Sequence, residues 1–83
     1  MKELKDTAEM MTSTDYKERF AAEHYQLKIR YSKLKAMLEK WDKGELTFTP
    51  TCPRSTYDLQ TKAMAEYLAV LEARAVMEGV TLE

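Results

Sequence analysis

With 83 residues, 45% of them hydrophobic, and 13 Lys and Arg against 14 Asp and Glu, the chain is one small, near-neutral domain. A chain this short buries little apolar surface and is stapled by disulfides, a metal or self-association. The single cysteine, Cys52, excludes an internal disulfide, and one histidine with one cysteine excludes an ordinary zinc site, which leaves self-association.

Residues 1–12 read as an extension or a short helix, with Leu4, Ala8 and Met11 on one helical face, ended by Thr12-Ser13-Thr14. A seven-residue beat follows. Phe20, Leu27, Leu34 and Trp41 recur every seven residues, with His24, Tyr31 and Leu38 between them. That alternating spacing is the seam of an amphipathic helix packing on another helix. The first long helix is predicted over 14–43. Thr12 with Asp15, or Asp15 with Glu18, has capping-box spacing, and Gly44 suits the left-handed residue past a helix end.

The connection over 44–54 holds Pro50, Pro53 and Cys52, and the alternation around Leu46 and Phe48 predicts a half-buried extended stretch. Eleven residues exceed what a tight helical turn needs, which suggests a task for the loop. The second helix is predicted over 55–78, capped by Ser55 with Asp58 and stopped by Gly79. It carries two stripes. Tyr57, Met64, Leu68, Leu71 and Ala75 would meet the first helix, while Leu59, Ala63, Val70, Ala73 and Met77 lie on another face. One partner cannot cover both, so the second stripe is the expected interface between copies.

Residues 27–43 carry six cations against two carboxylates, net +4, and residues 58–83 carry two cations against five carboxylates, net −3. Opposite signs favour an antiparallel pair. Setting Trp41 against Tyr57 would place Glu23 near Arg74 and Lys28 near Glu72. The fold class expected is all-α: a long antiparallel helical hairpin over 13–83, assembled as a homo-oligomeric bundle.

Chemistry-bearing residues are few. His24 lies in the seam, where a half-buried ring bonded to a carboxylate such as Glu23 outweighs a catalytic role. Cys52 precedes a helix start but has no histidine nearby, so it reads as a plain loop thiol. Arg54 and Ser55 at the start of the second helix could hold a phosphate, although a cap is the commoner reading. Tyr25 and Tyr57 could stack on a base while Lys28 or Arg30 neutralises its phosphates, although tyrosine also packs interfaces. No Walker loop, dinucleotide-binding glycine pattern, carboxylate pair or nucleophilic triad is present, which argues against an enzyme and implies no cofactor. Net charge −1 argues against general nucleic-acid binding. No apolar run is long enough for a membrane and no export signal is read at the start, so a cytoplasmic protein is expected.

The segments Tyr25-Gln26-Leu27-Lys28, Lys33-Leu34, Leu38-Glu39 and the run from Met64 to Ala75 resemble small helical-hairpin proteins of crAss-like and other tailed phages. The resemblance covers about residues 15–82, although the loop with Cys52 and two prolines is longer than in that group. It implies a phage protein in a bacterial cytoplasm. Small, non-enzymatic phage proteins often counter host defence, several of them as compact helical oligomers that take up cyclic or ADP-ribose-like immune signals. The expectation is such a sponge, with Arg54, Ser55, Tyr57, Lys28, Arg30 and Tyr25 as its ligand-binding residues. The alternative is a structural module that binds a host or phage protein through the exposed apolar helix face.

Overall fold

A computed structural model describes residues 2–82. Among them are three helices and no strand: α1 Leu4–Met11, α2 Tyr16–Asp42 and α3 Arg54–Glu78. The molecule is elongated, 43 × 24 × 19 Å, close to the length of the 27-residue α2.

Local signals set the helix ends. Asp15 caps α2, its carboxylate accepting from the Lys17 backbone N–H at 3.0 Å, while its own N–H donates to Ser13 Oγ at 3.0 Å. Arg19 closes the same corner by donating to the Ser13 carbonyl at 2.7 Å. The Gly44 N–H donates to the Trp41 carbonyl at 3.0 Å and the Glu45 N–H to Lys40 at 2.9 Å; this closing turn holds Gly44 at φ +70°, which suits glycine. Gly79 ends α3 in the same left-handed conformation.

The start of α3 differs from the expectation. Pro53 is the cap, Arg54 the first helical residue, and Ser55 lies inside the helix. The Ser55–Asp58 capping box does not form, because the Asp58 carboxylate accepts from Arg54 Nε at 3.0 Å. The 43–53 connection has turns and bends, with Leu46 half-buried but Phe48 exposed, so only half of the expected alternation is buried.

α2 and α3 run antiparallel. Tyr16 bonds Glu78, His24 meets Glu72, and Trp41 packs edge-on to Tyr57 at 6.0 Å, so contacts ascend one helix as they descend the other. Every seam position from Phe20 to Trp41 is buried or half-buried. The buried cluster is Phe20, Leu71, Ala75 and Val80, with Leu27 and Leu82 against it, and it sits where α2 begins and α3 ends.

α1 docks on α2 only. Near its start α2 is therefore covered on two sides, and Phe20, Ala21, Ala22, His24 and Tyr25 are all buried. A capping box between Glu3 and Asp6 starts α1. Thr7 is buried with its hydroxyl on the Leu4 carbonyl at 2.7 Å.

The second stripe of α3 is exposed. Leu59 is 70% exposed, Val70 56% and Met77 75%, and Ala63 and Ala73 are exposed beside them.

Candidate ligand-binding groove

The side chains expected to share one ligand fall into two groups within the chain. Arg54 and Tyr57 lie at the loop end of the hairpin. Tyr25 and Lys28 lie near the middle of α2, where the 14 residues from Lys28 to Asp42 span about 21 Å. Ser55 is exposed on the first turn of α3, and Arg30 is exposed roughly 140° around α2 from Tyr25. One chain does not bring the six together.

Arg54 is already occupied. Its Nη1 and Nη2 donate to the two oxygens of Asp42 at 2.5 and 3.3 Å, its Nε donates to Asp58, and its guanidinium lies over the Trp41 ring at 5.4 Å. These bonds raise the Arg54 pKa, through Asp42 first and Asp58 second, and Arg54 holds the Asp42 carboxyl below its ordinary value. A phosphate would have to displace Asp42, which takes both Nη donors, and Asp58, which takes Nε. The hollow beside it, about 330 Å³, is lined by Lys35, Lys62 and Arg54 against Glu39, Asp42 and Asp58, so it has no net charge to attract an anion. Arg54 is a latch joining the end of α2 to the start of α3, and Tyr57 packs on the Trp41 beneath it.

His24 also departs from the expectation. The ring is 1% exposed, and Nε2 meets Glu72 Oε2 at 3.1 Å, so its carboxylate comes from α3 instead of from Glu23. Nδ1 is buried without a hydrogen-bond partner. Glu23 instead accepts from the Tyr67 hydroxyl. The pairs Glu23–Arg74 and Lys28–Glu72 do not form. Arg74 donates to Glu78 at 2.9 Å and to the Tyr16 hydroxyl at 3.0 Å and lies 4.9 Å from the centre of the Phe20 ring. Tyr16 and Arg74 hold the Glu78 carboxyl below its usual pKa, while the bond to Glu78 raises that of the Tyr16 hydroxyl.

A groove rich in lysine lies between α1 and α2. It encloses about 820 Å³. Lys2, Glu3, Leu4 and Lys5 form one wall, and Tyr25, Lys28, Ile29, Ser32 and Lys33 form the other. The α2 positions recur at three- and four-residue spacing, so they share a face. Four lysines against one glutamate give the groove a net charge of +3. Glu3 is already spent on Lys5 at 3.4 Å and on the cap of α1. Tyr25 is buried at the groove's inner end, with the His24 ring edge-on at 5.6 Å and the Lys2 ammonium 5.2 Å from its ring centre. Tyr25 and Lys28 were legible in the sequence as candidates. Lys2 and Lys5 were not, because they lie on the segment whose packing the sequence left undecided. The expected Leu4–Ala8–Met11 face does not point to them, because Ala8 and Met11 are exposed and the covered residues of α1 are Leu4, Thr7 and Met10.

A family model described as Sequestin matches residues 14–77, which take in α2, the loop and nearly all of α3. The chain belongs to the Sequestin family. No curated protein and no solved structure matches it. Within this Sequestin chain, α1 and the groove wall it supplies precede the matched segment, while Tyr25, Lys28, Ile29, Ser32 and Lys33 lie inside it. Among the described residues no group of His, Cys, Asp and Glu could hold a metal ion, and no helix is long and apolar enough to cross a membrane.

Proposed function

We propose that this protein is a binding protein that sequesters a small phosphate-bearing signal, of the cyclic-nucleotide or ADP-ribose kind, and so counters an antiphage defence. The observation that carries the reading is the lysine-lined groove between α1 and α2, whose volume suits a mononucleotide-sized or dinucleotide-sized ligand and whose charge is net positive in a chain of net charge −1. The family name, which denotes sequestration, supports the same reading. Lys28 and Lys33 neutralise phosphate, and Tyr25 at the inner end offers an aromatic contact. Arg54 keeps the structural role its carboxylate partners give it.

Sequestration works by stoichiometry, so the protein must be plentiful and release its ligand unchanged. Self-association through Leu59, Ala63, Val70, Ala73 and Met77 completes the proposal: their exposed stripe is what a second copy would cover. The same stripe supports the alternative, a module that clamps another protein.

The test is capture and release. Purified protein is mixed with a cyclic dinucleotide, a cyclic trinucleotide or ADP-ribose, passed through a filter that retains only protein, and then heat-denatured. A sequestering protein retains one nucleotide and returns it chemically intact. A converted nucleotide would mean an enzyme, and retention of none would favour the protein-clamping alternative.

A further inference from the structure

The two walls of the groove come from different parts of the chain. Lys28 and Lys33 stand on α2, a 27-residue helix that also packs against α3. Lys2 and Lys5 belong to a segment whose only regular element is the eight-residue α1. Isolated helices below about 12–15 residues are marginal in water, so α1 depends on its docking against α2. That docking carries a cost, because it brings lysines from both walls to one cavity where they repel. An anion held between the walls would offset the repulsion among these lysines.

The groove can donate hydrogen bonds but has little to accept them. Lys2, Lys5, Lys28 and Lys33 are donors, the Ser32 and Tyr25 hydroxyls can donate or accept, and the one carboxylate among the described lining residues, Glu3, is paired with Lys5 and used in the α1 cap. A site of this kind reads phosphate oxygens, not the donor groups of a base. To satisfy both walls at once, a ligand needs negative charge at two places.

We infer that α1 is a working wall of the ligand site, on which Lys2 and Lys5 bridge a small molecule carrying at least two phosphates to Lys28 and Lys33 of α2. This rests on the sequestration reading and adds the anion count and the dependence on α1. Ligand binding and the docking of α1 are then two sides of one equilibrium: a bound diphosphate tightens α1 onto α2, and a loosened α1 weakens binding.

The probe is inorganic pyrophosphate, titrated into the whole chain at low salt with orthophosphate as the single-phosphate control. Three variants are compared: Lys2→Gln with Lys5→Gln, Lys28→Gln with Lys33→Gln, and Lys40→Gln, whose exposed lysine lies outside the groove. Circular dichroism confirms that each keeps its helices. Pyrophosphate should bind more tightly than orthophosphate, each groove pair should weaken it by about tenfold or more, and Lys40→Gln should change it less than about twofold. Amides of residues 4–11 should exchange more slowly once pyrophosphate is bound. Unchanged affinity in the Lys2/Lys5 variant, or no binding of pyrophosphate by the intact chain, overturns the inference. Nucleotide retained equally by intact chain and Lys2/Lys5 variant removes α1 but leaves sequestration standing. Pyrophosphate entering through α1 while no nucleotide is retained removes sequestration and leaves the anion site.

Discussion

Replacing His24 by leucine should leave the fold as stable as before, or more stable, although the residue is among the most buried in the chain. The ring is 1% exposed, and its two nitrogens are in unequal circumstances: Nε2 has Glu72 at 3.1 Å, and Nδ1 has nothing. A buried polar atom without a partner costs about 1–3 kcal/mol, whereas a hydrogen bond contributes about 0.5–1.5 kcal/mol net. Leucine is of similar size, forfeits the bond and removes the orphaned nitrogen. Glu72, whose side chain is 55% exposed, returns to water at little cost. The balance for His24→Leu runs from a loss of about 0.5 kcal/mol to a gain of about 2.5 kcal/mol, so most of the range is stabilising. Glu72→Ala is the opposite perturbation. It strands Nε2 as well and should cost about 1–2 kcal/mol, which in a domain of this size lowers Tm by roughly 4–16 °C. Urea unfolding of both single variants and the double variant closes the cycle, and in the His24→Leu background Glu72→Ala should be nearly neutral. A loss above about 1 kcal/mol in His24→Leu would mean that Nδ1 has a partner in solution.

Other consequences are as direct. Leu71 is 1% exposed in the cluster with Phe20, Ala75 and Val80, so Leu71→Ala should cost about 3 kcal/mol, a large share of the roughly 4–12 kcal/mol expected for a domain of this length; chemical denaturation measures it. Leu59→Glu with Val70→Glu should reduce the particle to a monomer in light scattering while leaving its helicity intact, and an unchanged mass would place any assembly on another face. The depressed pKa values of Asp42 and Glu78 add stability that is complete above their ordinary values of 3.8 and 4.5 and is lost as pH falls through the lower folded-state values. Because the Tyr16 hydroxyl is the largest cause for Glu78, Tyr16→Phe should shrink that acid-labile part; an unaltered acid limb in a pH series of melts would count against it.

The hairpin was legible because its signals are local or periodic. The seam from Phe20 to Trp41 is written in spacing, and Gly44 and Gly79 are required by the left-handed geometry that ends each long helix. Individual partners were not legible. Glu23 and His24 are adjacent, but neighbours on a helix point about 100° apart, so His24 takes the carboxylate that α3 brings to the seam. Arg54 reads in sequence as a free cation at a helix start, whereas folding delivers Asp42 from 12 residues earlier and Asp58 from the next turn. The groove was half legible: Tyr25 and Lys28 stand out on α2, but the cavity exists only once α1 docks, and a short polar helix announces its docking weakly.

On the proposed function, the protein holds a small phosphate-bearing signal without altering it. Native mass spectrometry of the purified protein, alone and with a panel of cyclic dinucleotides, cyclic trinucleotides and ADP-ribose isomers, tests it most directly. The expected spectrum is a discrete oligomer that gains the mass of at least one of these nucleotides. A particle that stays bare across the panel would contradict that function.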